Sequence, residues 1–198
     1  MLRYIKKIVR DSHGTTALEF ALVSPIVILL IVGTMEFAMI GFRTTILEGG
    51  LREAARFGTT GASMTGTANR EEAIINIVND HANGLFTVTA SDLSTLVYPD
   101  FSQIGESEPY TDADASGDWN EPEEYTDVNC NGQYDEDMGL TGAGGGSEVV
   151  LYTVSMDVDS LTGLIDHLIT DDGKIPLSAT IAIRNEPFPG GTTVCPGP

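Results

Sequence analysis

Basic residues are scarce in this chain: 10 lysines and arginines stand against 29 aspartates and glutamates. So acidic a surface repels nucleic-acid phosphates and anionic lipid headgroups, which excludes a nucleic-acid-binding role, and it suits divalent cations. Histidine is scarcer still. His13, His81 and His167 are scattered and form no metal-ligand or nucleophile–base spacing, so an enzyme is not expected. Two cysteines, Cys130 and Cys195, are too few for a thiolate metal site and carry no C-x-x-C. In an oxidising compartment a Cys130–Cys195 disulfide is a reasonable staple from the C-terminal tail to the acidic centre, with connectivity left open by sequence alone. The glycine-rich run Gly142-Ala143-Gly144-Gly145-Gly146 lacks the Lys-Ser/Thr of a phosphate loop and is expected to be a flexible linker.

What the chain does have is one long apolar run. Ala17 to Phe42 is 26 residues, about 39 Å as a helix and enough to cross a hydrocarbon core of about 30 Å. Four bases precede it (Arg3, Lys6, Lys7, Arg10) and Arg43 alone follows closely, which places the N-terminus in the cytoplasm and the rest outside. A secretory signal peptide has an apolar core of about 7–15 residues and a small-x-small cleavage site, and neither fits here. Pro25 removes one helical hydrogen bond and kinks rather than breaks a helix in lipid. Glu19 and Glu36 are the costly residues, since a carboxylate in hydrocarbon needs a partner or a proton. An ordinary signal anchor explains the bases and the span. It does not explain why Gly14 is followed five residues later by Glu19-Phe20, where a newly freed α-amine at Thr15 could neutralise the carboxylate.

Gly14-Thr-Thr-Ala-Leu-Glu-Phe-Ala-Leu-Val-Ser-Pro25, then Val32-Gly-Thr-Met-Glu-Phe37, then Leu51-Arg-Glu-Ala-Ala-Arg-Phe-Gly58, resembles the TadE-like proteins. These are pseudopilins or minor pilins of the tight-adherence (Flp) pilus machinery. The resemblance covers residues 1–60 strongly and 175–188, with Ala182-Ile-Arg-Asn-Glu-Pro-Phe188, more weakly. It implies cleavage by a prepilin peptidase between Gly14 and Thr15, with Glu19 and Phe20 part of the recognised motif. It also implies a role in assembly with other pilins or pseudopilins, the Flp assembly platform and inner-membrane lipid. Without the leader, six bases face 28 acids.

Beyond the membrane the helix is expected to continue through Ile46, Leu47, Leu51, Ala54, Ala55 and Gly58, which recur at helical spacing. Glu48 and Arg52 stand in the favourable i, i+4 order, and Gly49-Gly50 weakens the helix, a candidate bend. Residues 62–68 are a linker. Asn69 and Glu72 form a capping box for a short helix over 70–82, stopped by Asn83-Gly84, with His81 a surface residue. Strands are expected at 85–90, 148–158 and 178–184 by alternation, and a short helix at 160–169. The fold class is α+β: a long N-terminal transmembrane helix continuing into a small pilin-like domain of a short helix on an antiparallel sheet, with an acidic calcium-loop insertion.

The insertion carries the chemistry. From Asp112 to Glu123, oxygen-bearing residues fall at loop positions 1 (Asp112), 3 (Asp114), 5 (Ser116), 9 (Asn120) and 12 (Glu123), with Gly117 at 6 and the Asp118 carbonyl at 7. That is the twelve-residue calcium-loop pattern, in which alternate residues aim oxygens at one centre and the glycine permits the turn. A second copy starts at Asp127, with Asn129, Asn131, Gln133 and Asp135. Its position 12 is Met138, so closure is expected from Glu136 or Asp137. The copies lie too close for EF-hand helices and resemble compact extracellular calcium repeats. One or two calcium ions are expected, at affinities on the order of 0.1–1 mM. A disordered acidic loop is the competing reading.

The organisation is therefore a leader over 1–14, a transmembrane helix over 15–43, and a region over 44–99 with the rest of the helix, the second helix and the first strand. The calcium-binding-like insertion over 100–147 and C-terminal strands and tail over 148–198 follow. The expected place is the bacterial inner membrane, single-pass, with the C-terminal domain periplasmic or extracellular and possible incorporation in the pilus. The rival is a permanently anchored envelope protein displaying a calcium-dependent recognition domain.

Overall fold

The computed structural model describes residues 13–60, 69–163 and 173–188. Its elements in chain order are helix α1 (His13–Gly58), helix α2 (Arg70–Ala82), strand β1 (Leu93–Tyr98), strand β2 (Leu140–Thr141), strand β3 (Val149–Asp159) and strand β4 (Lys174–Arg184). The chain divides into two compact units, residues 1–41 with 159–175, and residues 42–158 with 176–198.

The first unit is built on the N-terminal part of α1. Pro25 lies inside the helix without ending it. Leu18, Phe20, Leu22, Ile26, Leu30 and Phe37 are all more than half exposed, a display that water does not tolerate and lipid or a neighbouring helix does. The helix is long and apolar enough to cross a membrane. Within this apolar stretch Glu36 is only 1% exposed. Its carboxylate accepts a 2.6 Å hydrogen bond from the Leu161 amide and a 3.1 Å bond from the Thr162 hydroxyl. A costly carboxylate has found its partners within its own chain. The leader and the expected helix at 160–169 fall largely outside the described residues, as does the 62–68 linker.

In the second unit, the apolar stripe read from the sequence forms the core: Leu47, Leu51, Ala54 and Ala55 of α1 and Ala73, Ile74, Val78 and Ala82 of α2 are all at most 1% exposed. Gly49-Gly50 leaves α1 unbroken; a Cβ on Gly50 would come within 3.1 Å of the His81 Cβ and 3.4 Å of the Val78 Cα, so the pair makes room for α2. Asn69 caps α2 by accepting from the Glu72 amide at 2.8 Å, and Asn83 ends it in the left-handed conformation at φ 47°. The Arg52–Glu48 pair sits at 3.7 Å on the exposed face, a contact worth a few tenths of a kcal/mol.

The sheet runs β2-β1-β3-β4, with β1 antiparallel to both β2 and β3. Its register puts Val97 opposite Val150 and Thr95 opposite Tyr152 on one face, and Leu96 opposite Leu151 and Tyr98 opposite Val149 on the other. The first face meets the helices: Thr95 donates to Glu71 of α2, and a Cβ on Gly58 would lie 2.7 Å from the Tyr152 hydroxyl. The second face packs against the acidic insertion through Met138, with Ile104 and Val128 beside it. The insertion is therefore a layer of the folded unit, not an appended tail.

Two sequence expectations change. Residues 85–90 do alternate, with Phe86 and Val88 buried, but they are not a strand. Val88 bonds through both backbone groups to the Asn79 side-chain amide, at 2.7 and 2.9 Å, so a side chain takes the place of a neighbouring strand. The first strand is instead β1, at Leu93–Tyr98. The glycine run at 142–146 is not a flexible linker. Asn185 donates to the carbonyls of Ala143 and Gly145, Arg70 to those of Ala143 and Gly144, and the Gly145 amide to buried Glu148. A Cβ on Gly146 would strike the Phe188 backbone at 2.6 Å, so here glycine is required by close approach.

Candidate functional site

The acidic insertion is ordered by its own backbone. In the first loop Asp112 accepts from the Ser116 and Gly117 amides, both at 3.0 Å. Asp114 accepts from the Ser116 amide at 3.0 Å and the Asn120 side chain at 3.2 Å. The Ser116 hydroxyl donates to the Asp118 carbonyl at 2.8 Å and accepts from Asn120 at 3.2 Å. Glu123 folds back across the loop, one oxygen taking the Ala113 amide at 2.7 Å and the other the Asn120 amide at 3.1 Å. Gly117 stands at φ 87°, a conformation that L side chains rarely adopt. Asp112, Asp114 and Glu123 bring carboxylate oxygens within 4.8 Å of one another, so positions 1, 3 and 12 converge on one point.

The second loop repeats the contacts of positions 1 and 3 of the first. Asp127 accepts from the Asn131 amide at 3.2 Å and the Gly132 amide at 2.8 Å, and Asn129 accepts from the Asn131 amide at 3.1 Å. Asp135 takes the place of Asn120 with donor and acceptor reversed, accepting from Asn129 at 2.7 Å and Asn131 at 2.6 Å. The Gln133 amide donates to the Asn131 side chain at 2.7 Å. Position 4 has positive φ in both loops, 59° at Ala115 and 62° at Cys130, and so does position 6, where Gly132 has φ 78°.

The expected closing residue differs. Asp137 is turned to the sheet, accepting from the Tyr98 hydroxyl at 2.9 and 3.1 Å and from the Gly139 amide at 3.0 Å, while Glu136 is exposed. Position 12 itself, Met138, is committed to the core beside Tyr98 and Val149. Burial, then the hydrogen bond and charge of Asp137, push the Tyr98 hydroxyl up to about 12. The carboxylate that crosses the second loop is Glu108, fully buried, accepting from Val128 at 2.7 Å, Asn129 at 3.4 Å and Asp135 at 3.3 Å. Reading each loop only forward from its first aspartate hides this residue. The signal was upstream: Glu108-Pro-Tyr-Thr-Asp112 and Glu123-Glu-Tyr-Thr-Asp127 begin alike.

Cys130 is disulfide-bonded, and Cys195 lies outside the described residues. On α1, Thr15, Glu19 and Phe20 are exposed. Hydrogen bonds from Ser116 and then Asn120 hold the Asp114 carboxyl below its ordinary value. A depressed folded value favours order at neutral pH and loses that contribution as pH falls through the carboxylate range. The near-ultraviolet signal of Trp119, stacked at 4.4 Å on Tyr134, is therefore expected to persist at pH 5 and fade below about pH 4. Loss already between pH 5 and 6 would contradict this assignment.

Residues 14–56 match the family model described as TadE-like protein. No curated protein and no solved structure matches the chain. The matched stretch includes Gly14, Glu19, Phe20, Pro25 and Glu36.

Proposed function

We propose, from the TadE-like segment at residues 14–56, that this chain is a pseudopilin or minor pilin that supports Flp pilus assembly and is not an enzyme. A prepilin peptidase removes residues 1–14. The apolar part of α1 then holds the subunit in the inner membrane, N-terminus inside, with the C-terminal domain beyond the outer face. Glu19 pairs with the Thr15 α-amine of a neighbouring subunit, which neutralises two groups that lipid would otherwise penalise. One observation carries this reading: Gly14, Glu19 and Phe20 stand at prepilin spacing at the head of an exposed apolar helix long enough to span a bilayer.

The two loops of the insertion bind calcium, one ion each. Asp112, Asp114, Ser116, Asn120 and Glu123 supply oxygens to the first, and Asp127, Asn129, Asn131 and Asp135 to the second. Calcium supplies positive charge where carboxylates converge, and so stiffens a domain with a small core. Support for this comes from the motif spacing and the shared turn geometry of the two loops.

Mass spectrometry of the chain extracted from membranes of cells with an active prepilin peptidase tests the first part. A mature N-terminus at Thr15 is expected, with Gly14→Asp retaining the leader. An intact leader in the unmodified chain would leave the anchored envelope protein as the reading.

A further inference from the structure

The contacts of residues 108–137 are reciprocal. Glu108 and Glu123 are 15 positions apart, as are Tyr110 and Tyr125, Asp112 and Asp127, and Gly117 and Gly132. Glu123, which opens the second repeat, accepts the amides at positions 2 and 9 of the first loop (Ala113, Asn120). Glu108, which opens the first repeat, accepts the amides at positions 2 and 9 of the second (Val128, Asp135). Tyr110 and Tyr125 bridge antiparallel, with the Thr111 amide on the Glu124 carbonyl at 2.9 Å and the Thr126 amide on the Pro109 carbonyl at 2.8 Å. Those two bonds exchange under the same shift of register.

The rings obey the same rule. Position 8 is Trp119 in one loop and Tyr134 in the other, and they stack at 4.4 Å with 16° between their planes. Tyr110 meets Tyr134 edge-on at 5.7 Å, and Tyr125 meets Trp119 edge-on at 5.8 Å. Each tyrosine thus touches the position-8 ring of the opposite repeat, the pattern of a two-fold, self-complementary contact, while Tyr125 also meets Tyr134 of its own repeat edge-on at 5.8 Å.

We infer that residues 108–137 are one two-fold unit and not two consecutive loops, with Glu108 and Glu123 exchanged so that each seals the loop of the other repeat. Neither loop orders, or takes its ion, without the other. Glu108 then fills for the second loop the place that Met138 cannot. Glu108 is buried, and among the described residues no lysine or arginine forms an ion pair with it, so its charge is met by the amides of Val128, Asn129 and Asp135. The ion half of this inference rests on the calcium reading above; the ordering half does not.

Amide exchange of the full chain in detergent with EGTA separates the two. In both Glu108→Gln and Glu123→Gln, peptides covering 112–120 and 127–135 are expected to exchange faster together, by about tenfold or more, since glutamine replaces one of the two accepting oxygens with an N–H donor that faces a backbone amide. Faster exchange confined to the loop that the altered residue seals would overturn the inference. Glu123 is outside the core, so Glu123→Gln decides the matter even if Glu108→Gln fails to fold. Calcium titration then supplies the second readout: two ions taken up cooperatively, with either variant weakening both. One site left at unchanged affinity in Glu123→Gln would count against the exchange, whereas no uptake by the unmodified chain would remove the calcium reading and leave the exchange result standing.

Discussion

Returned from EDTA to 5 mM calcium, the full chain is expected to melt about 10 °C higher than the stripped chain. The size follows from mass action. A site with a dissociation constant of about 0.5 mM gains about 1.4 kcal/mol at that concentration, so two sites give about 3 kcal/mol, and a domain of this size shifts by a few degrees per kcal/mol. The direction follows from charge: Asp112, Asp114 and Glu123 bring their oxygens within 4.8 Å of one another, and without a cation that repulsion opposes folding. Asp112→Ala removes two amide acceptors as well as a ligand, so it should lower the stripped chain's melting temperature and abolish most of the calcium shift. Differential scanning fluorimetry on Trp119, with magnesium as the control ion, measures both. An unmoved transition would dispose of the calcium sites.

Replacing Glu36 with alanine should release the chain around Leu161. The Leu161 amide, bonded at 2.6 Å, and the Thr162 hydroxyl, bonded at 3.1 Å, both donate to that one carboxylate. Hydrogen bonds to a charged group contribute about 1.5–3 kcal/mol each, so exchange of the Leu161 amide should rise about 10- to 100-fold in Glu36→Ala. Two terms compete, because removing a carboxylate from an apolar helix also removes a desolvation cost. That term favours the variant globally but leaves the amide without an acceptor, so the local measurement is the decisive one. Glu36→Gln keeps an acceptor of the same reach and should stay near the parent. Equal exchange in all three chains would show that the contact does not hold the segment in the membrane-mimetic environment.

The sequence made some elements plain and concealed others for a consistent reason. Helix α2 was legible because Asn69, Ile74, Val78 and Asn83 act within a few residues of one another. The long strand β3 was legible because Val150, Tyr152, Val154 and Met156 alternate without interruption. Residues 85–90 alternate as well, yet their backbone partner is the Asn79 side chain, so the same local pattern gave no strand. The first calcium-type loop was visible because its oxygens lie within twelve residues. Glu108 was not, because it closes a loop whose amides begin 20 positions downstream.

From order alone came the apolar span, the prepilin-like head at Gly14, Glu19 and Phe20, the acidic charge and the oxygen-rich loops. These depend on composition and on neighbours within a turn or two of chain, where spacing dictates geometry. Only the tertiary structure decided that the insertion packs beneath the sheet through Met138, that Glu36 is met by Leu161 and Thr162, and that the glycine run is a packed junction. Each of those outcomes is a choice of distant partner. A buried carboxylate or amide takes whichever donor or acceptor the completed fold brings to it, and no local spacing specifies which one that will be.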